Sequence, residues 1–302
     1  MSEPIRHHYI PQFYLRQWAG PDKQVFWYHR PFHRVVIEKA FPKDIAFEPY
    51  LYTVSSRPDP QMLEKKFFSD IENYAAPVLK RLTAPGPRFV IVGPNDLKET
   101  QRIDWTRFIQ SLHLRGPHSL TEINTVLHGI LRENMERDQG AAYRATKQPN
   151  DPDSVYDHAI SEAPHLFADA HKFHLTQLID HSPVGIYIVK MTWAVLDVSD
   201  SPYPLLTSDR PYILPCGLMD PACVLGVPIS PTRIFLAANS RAELESISRR
   251  ASKATVRIAN SLVVRMAVQE VYGSTKNRRE FVEKRLIKPG EEPLPGLAMG
   301  PA

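Results

Sequence analysis

Proline falls at 28 of the 302 positions of this chain, scattered among apolar segments rather than gathered in a tract. Its ring fixes φ and removes a backbone donor, which confines it to first turns of helices, to connections and to sheet edges. The proline share is about twice the usual one for a soluble protein, and the 13 glycines fall below theirs. Such spacing punctuates a single mixed domain of short elements joined by tight connections. The length is enough to bury about three quarters of the unfolded surface. Composition excludes collagen, disulfide scaffolds and disordered chains.

Nothing in the opening MSEPIRHHYI has the basic-then-apolar pattern of a secretory signal. The longest apolar stretch, Val184 to Leu196, is interrupted by Lys190 and is too short for a span of about 20 residues. Cys216 and Cys223 lack the spacing of a zinc knuckle or a disulfide framework. These features predict a soluble, cytoplasmic protein of bacterial type with no membrane partner.

The net charge of +4 is unevenly spread. No acid occurs between Ser246 and Gln269, whereas Arg249, Lys253 and Arg257 recur every four residues. On one helix that spacing aligns the three as a stripe able to track phosphates. A solvated helix face is the plainer account of the same residues. The segment from Asn150 to Ala170 has the opposite bias, with five acids and no Lys or Arg.

Along the chain, QVFWYHR and RVVIEKA read as a β pair, and Asp59-Pro60 as the start of a helix through about Leu82, kinked at Pro77. LKETQRIDWTRFIQSLHLRG and LTEINTVLHGILRENMERD read as two further helices. Lys147 to Ser154 is the place for a sub-domain break, and SEAPHLFADAHKFHLTQLIDH is helical again. From Gly185 the reading changes to short strands: IYIVKMTWAVLDV, LLTSD, VLGVPIS and RIFLAA. Ser240 and Glu243 have capping-box spacing and open a helical region expected to reach about Tyr272. The fold class expected is α+β, a helical middle with a mainly antiparallel sheet built from N- and C-terminal segments. A single domain is expected over residues 1–285, with a loose tail at 286–302.

The chemistry rests on a few polar residues. His7-His8 offers metal ligation or general-base chemistry, but adjacent rings diverge, so at most one of the two faces a site. Glu64 and Glu72 lie roughly 12 Å apart along an ideal helix, too far to share one ion. Ser208 and Asp209 end an apolar strand before a proline turn, with no nucleophile elbow around the serine. His171, His174 and His181 share a helix side without a metal-binding pattern. Glycine-rich phosphate loops are absent, which removes the common nucleotide-binding routes.

HHYIPQFYLRQWA, with its His-His pair followed by proline and then Tyr-Leu, resembles the opening of the bacterial domain-of-unknown-function family 4238. IAFEPYLYT, LEKKFFSDIENYAAPVLKRL, FIQSLHLRGP, LLTSDRPY and VPISPTRIFLAA are similar to that family's later elements, in the same order, across about residues 7 to 272. Trp18 departs from the pattern, standing where an apolar aromatic such as Phe is expected. The resemblance implies a shared fold and a pocket formed by these elements; it brings no activity with it.

Two functions follow from these residues. In the first, a metal-dependent hydrolase acts on a phosphodiester or other anionic substrate. His7, His8 and Glu48 would hold a divalent metal ion, Glu64, Arg115 and Asp209 would carry catalysis, and Arg249, Lys253 and Arg257 would approach a nucleic acid. In the second, a non-catalytic binding or regulatory protein uses the same polar residues as a buried hydrogen-bond network.

Overall fold

The structure, a computed structural model, describes residues 5–288, 290 and 291. Strand β1 (Arg6–His8) leads through Pro11 into the short helix α1 (Gln12–Leu15) and a tight turn ending at Trp18. The hairpin β2 (Val25–His29) and β3 (Val36–Ala40) follows, then β4 (Phe47–Pro49), which pairs back onto β1. A π-helical segment, Leu63–Phe68, runs into α2 (Ser69–Leu82). After β5 (Phe89–Val92) come α3 (Glu99–Leu114), the 30-residue α4 (Pro117–Thr146), α5 (Val155–Glu162), α6 (Pro164–Ala168), α7 (Ala170–His181) and α8 (Pro183–Lys190). The chain closes with β6 (Thr192–Asp197), β7 (Thr207–Ser208), β8 (Val224–Ser230), β9 (Arg233–Ala238), α9 (Arg241–Ser248), α10 (Ser252–Met266), β10 (Glu270–Gly273) and α11 (Arg279–Glu283).

The fold is α+β with antiparallel sheets and a helical middle, as expected. One sheet has the order β3-β2-β10-β7 and so joins the two ends of the sequence. β1 and β4 form a two-stranded sheet, and a second four-stranded sheet has the order β5-β6-β9-β8. Its strands are apolar throughout because both faces are covered. Trp193, Val195 and Phe235 point into the main core with Trp105 and Phe108 of α3, while Ala194, Leu196, Ile234 and Leu236 meet Leu244, Val256 and Val263 of α9 and α10. Proline acts as punctuation: Pro117, Pro164 and Pro183 open helices, and Pro228 sits at a bulge on the edge strand β8.

Two segments depart from the sequence reading. Gly185–Lys190 is helix, not strand. Ser182 caps it by accepting from Val184 N at 3.1 Å, and Arg102 of α3 takes the carbonyls of Val189 and Met191 at 2.8 and 2.9 Å while lying over the Trp193 ring. A Cβ at Gly185 would stand 2.5 Å from Gln110 Nε2, so a side chain there requires the Gln110 amide to shift from Ile179 O.

The helical region opened by Ser240 also differs. It breaks at Arg249–Ala251 and ends at Met266, and Tyr272 lies in a strand. Arg88 holds the break, donating to Ser248 O at 2.5 Å, Arg250 O at 2.9 Å and Ser252 Oγ at 3.1 Å. Arg249 is therefore off the helix that carries Lys253 and Arg257, and the three-residue stripe does not form. Leu286, assigned to the tail, is buried beside Tyr28 and Val282; residues 289 and 292–302 of that stretch lie outside the described residues.

Candidate functional site

Two polar knots lie side by side where the N-terminal segment meets the rest of the chain. Arg115 caps the C-terminus of α3, and its side chain is 1% exposed. Its Nε donates to Tyr9 O at 3.0 Å, and Nη2 donates to His8 O at 2.5 Å and to Glu72 Oε1 at 2.9 Å. The guanidinium also lies over the Phe68 ring. One cation thus joins β1, α2 and α3. Tyr52 completes the knot: its hydroxyl donates to Arg115 O at 2.7 Å, and its amide donates to His7 Nδ1 at 2.9 Å with the two rings stacked.

Glu64 stands in the π-helical segment beside this knot. Burial pushes its carboxyl up to about 7; Arg115 pulls it down and Glu72 adds to the rise. A wide π turn alters the phase between Glu64 and Glu72 from that of an ideal helix. Both carboxylates consequently act on one guanidinium, Glu72 by direct contact.

The second knot surrounds Asp209, which follows β7. Its Oδ1 accepts from Val268 N at 2.9 Å, and Oδ2 accepts from Gln269 N at 2.6 Å and Glu270 N at 3.0 Å. Three successive amides entering β10 cradle one carboxylate. Burial and the neighbouring Glu270 nevertheless push Asp209 up to about 7, against the pull of those amides. Glu270 Oε2 accepts from the hydroxyls of Tyr9, at 2.6 Å, and Tyr272. Burial, then the Glu270 charge, raises the Tyr9 phenol; the same two causes raise Glu48. Tyr9 bridges the knots, its carbonyl on Arg115 and its hydroxyl on Glu270.

The second knot forms one wall of a cleft of about 1020 Å³. Tyr9, Glu48, Asp209 and Arg210 line one side. The N-terminal half of α4 lines the other with Glu122 and the apolar residues Ile123, Val126, Leu127 and Ile130. Those four recur at i, i+3, i+4 and i+7, one face of a helix. Ile123 is 6% exposed, whereas Val126 and Ile130 are 60% and 49% exposed. Glu122 Oε2 takes Arg210 Nη2 at 3.2 Å and faces His118 Nδ1 at 3.5 Å.

The residues singled out from the sequence thus fall into different places. Arg115, Glu64 and His7 belong to the first knot, Asp209 to the second, and Glu48 to the cleft rim. His7, His8 and Glu48 do not converge as a ligand set. His7 is sealed against Tyr52, while His8 packs on Phe47 with Nε2 at 3.3 Å from Lys43 O. Burial lowers the His8 imidazole to about 4, with the Lys43 carbonyl opposing. Among the described residues, no group of three His, Cys, Asp or Glu side chains is placed to hold a metal ion. Lys253 and Arg257 are exposed on α10 and do not line the cleft. His174 lines it without His171 or His181. Ser208 Oγ accepts from Arg210 N at 3.2 Å, ordinary turn chemistry. Tyr9, Arg210, Glu270 and Tyr272 were not singled out; the apolar stripe of α4 was the one local signal available for the cleft.

The model of the family described as "Protein of unknown function (DUF4238)" matches residues 6–277, from β1 into the turn after β10. The chain belongs to the DUF4238 family. The match spans both knots, so the segments that resemble the DUF4238 pattern, HHYIPQFYLRQWA, FIQSLHLRGP and LLTSDRPY, are those that place Tyr9, Arg115 and Asp209 together. No curated protein and no solved structure matches the chain. No helix among the described residues is long and apolar enough to cross a membrane.

Proposed function

We propose that this DUF4238 chain is a non-catalytic binding protein that takes a small amphipathic molecule in the cleft beside Asp209. One observation carries the reading. Two of the three groups that the sequence offers for catalysis are turned to main chain, Arg115 on the carbonyls of His8 and Tyr9, and Asp209 on three amides; the third, Glu64, stands half-buried beside Arg115 and does not line the cleft. Next to them lies a cleft of about 1020 Å³ with a polar and an apolar wall, the make-up of a ligand pocket. Buried polar networks of this kind fix a junction without doing chemistry. A cytoplasmic location belongs to the same proposal, supported by two free thiols, Cys216 and Cys223.

The competing reading is a hydrolase of an anionic substrate such as a phosphodiester. It is favoured by Asp209, whose carboxyl at about 7 suits acid–base chemistry at the cleft wall. A nucleic-acid form of it would use the exposed Lys253 and Arg257. Elemental analysis and a nuclease and phosphatase panel with Mg²⁺ and Mn²⁺ separate the two. The binding reading expects no stoichiometric metal, no turnover, and a lowered melting temperature in Arg115→Met and Asp209→Ala. Turnover abolished by Asp209→Ala with the melting temperature unchanged overturns it.

A further inference from the structure

Among the described residues, the carboxylates that line the cleft outnumber the guanidinium groups. Glu48, Glu122 and Asp209 contribute carboxylates, Arg210 a guanidinium that Glu122 engages at 3.2 Å, and His113, His118 and His174 imidazoles. Glu48 and Asp209 remain at the end where Tyr9 carries Glu270 behind it. An anion placed there would meet carboxylates from three elements. Along α4 the lining carries an apolar stripe from Ile123, itself seated in the core, to Ile130, about 10 Å at a helical rise of about 1.5 Å per residue, flanked by Glu122 and Thr125.

We infer, resting on the binding reading above, that the cleft takes an organic cation with an alkyl tail. Its ammonium lies against Asp209 and Glu48, and its tail covers Ile123, Val126, Leu127 and Ile130. The charge sign follows from the lining; the tail follows from a helix face left open beside it. Asp209 and Glu48 each stand under the charge of Glu270, and a bound cation relieves that repulsion. A neutral or anionic amphiphile fills the same volume without doing so.

The surroundings of Asp209 give the binding a proton signature. Glu270 and the hydroxyls of Tyr9 and Tyr272 surround it, the amides of Val268 to Glu270 hold it, Arg210 beside it is engaged by Glu122, and Glu48 stands under the charge of the same Glu270. Since Asp209 is partly protonated near neutral pH, a cation that favours its ionised form expels a proton on binding.

Isothermal titration of the full chain with decylamine, decanol and decanoate near neutral pH, in two buffers of different ionisation enthalpy, tests this. Expected is saturable one-to-one binding of decylamine, at least about tenfold tighter than decanoate, with proton release that decanol does not show. Glu48→Gln, at an exposed position that leaves the knots intact, weakens decylamine several-fold and leaves decanol unchanged. Ile130→Glu weakens decylamine and decanol by removing the apolar wall. Equal binding of decylamine and decanol overturns the cation inference and leaves the binding reading standing, as does tighter binding of decanoate. Decylamine binding unmoved by both variants places it elsewhere and overturns the inference. Failure of all three probes overturns the inference and the amphiphile reading together.

Discussion

Asp209 and His8 titrate with opposite consequences across one pH window. The folded Asp209 carboxyl sits at about 7, above its ordinary 3.8, so the native state binds the proton more tightly than the unfolded chain. Its contribution is complete below about pH 4 and is lost as pH rises towards 7. His8 is lowered from 6.5 to about 4, so its contribution is present above 6.5 and is lost as pH falls towards 4. Melting curves of wild type, Asp209→Asn and His8→Phe between these limits separate the two. Stability relative to wild type is expected to improve for Asp209→Asn as pH rises, and to improve for His8→Phe as pH falls. Parallel profiles for all three chains would remove the buried, shifted state of both groups. The sequence marked His8, Arg115 and Asp209 as unusual, and each is buried. Their partners were not legible at this scale. Tyr9 and Glu270 stand 261 positions apart, and only the return of the chain beside β2 sets one hydroxyl on the other's carboxylate.

Among the elements, α3, α4 and the β2–β3 pair follow directly from periodicity and punctuation. The exceptions have a common physical form, because both are decided by an arginine from elsewhere in the chain. Arg102 receives the end of α8, and Arg88 holds the joint between α9 and α10. Apolar, β-branched runs such as Gly185–Lys190 suit a buried helix or a buried strand equally well, and the flanking contacts choose. Replacing Arg88 with Ala strips the carbonyls of Ser248 and Arg250 of their donor. We expect a loss of about 0.5–1.5 kcal/mol in urea unfolding, with faster amide exchange confined at first to the α9–α10 joint. A fully helical, better protected joint in Arg88→Ala would show instead that Arg88 imposes the break on a segment that prefers to be continuous. Local sequence already contains the cleft's apolar wall, as the i, i+3, i+4, i+7 stripe of α4. It does not contain the fact that α4 leaves this face partly open, since exposure depends on what packs opposite.

In the whole molecule, the loop from Lys147 to Ser154 separates the chain only in sequence. α5 and α7 both pack on α4, and β5, before the loop, pairs with β6, after it. β10 likewise lies between β2 and β7. Proteolytic nicking of this loop is expected to leave the fragments associated through gel filtration and melting in a single transition. Separation of the fragments without denaturant would assign them to independent domains. Composition and the order of elements along the chain were enough to determine the α+β class, the helical middle, the punctuating prolines and the family pattern, because these depend on local propensity and on which residues repel water. Tertiary structure alone decided that Arg115 and Asp209 turn to main chain, that His7, His8 and Glu48 form no ligand set, and that Arg249 leaves its stripe. Each of those outcomes depends on the direction of a side chain relative to segments distant in sequence, and spacing along a chain carries no record of what will stand across from it.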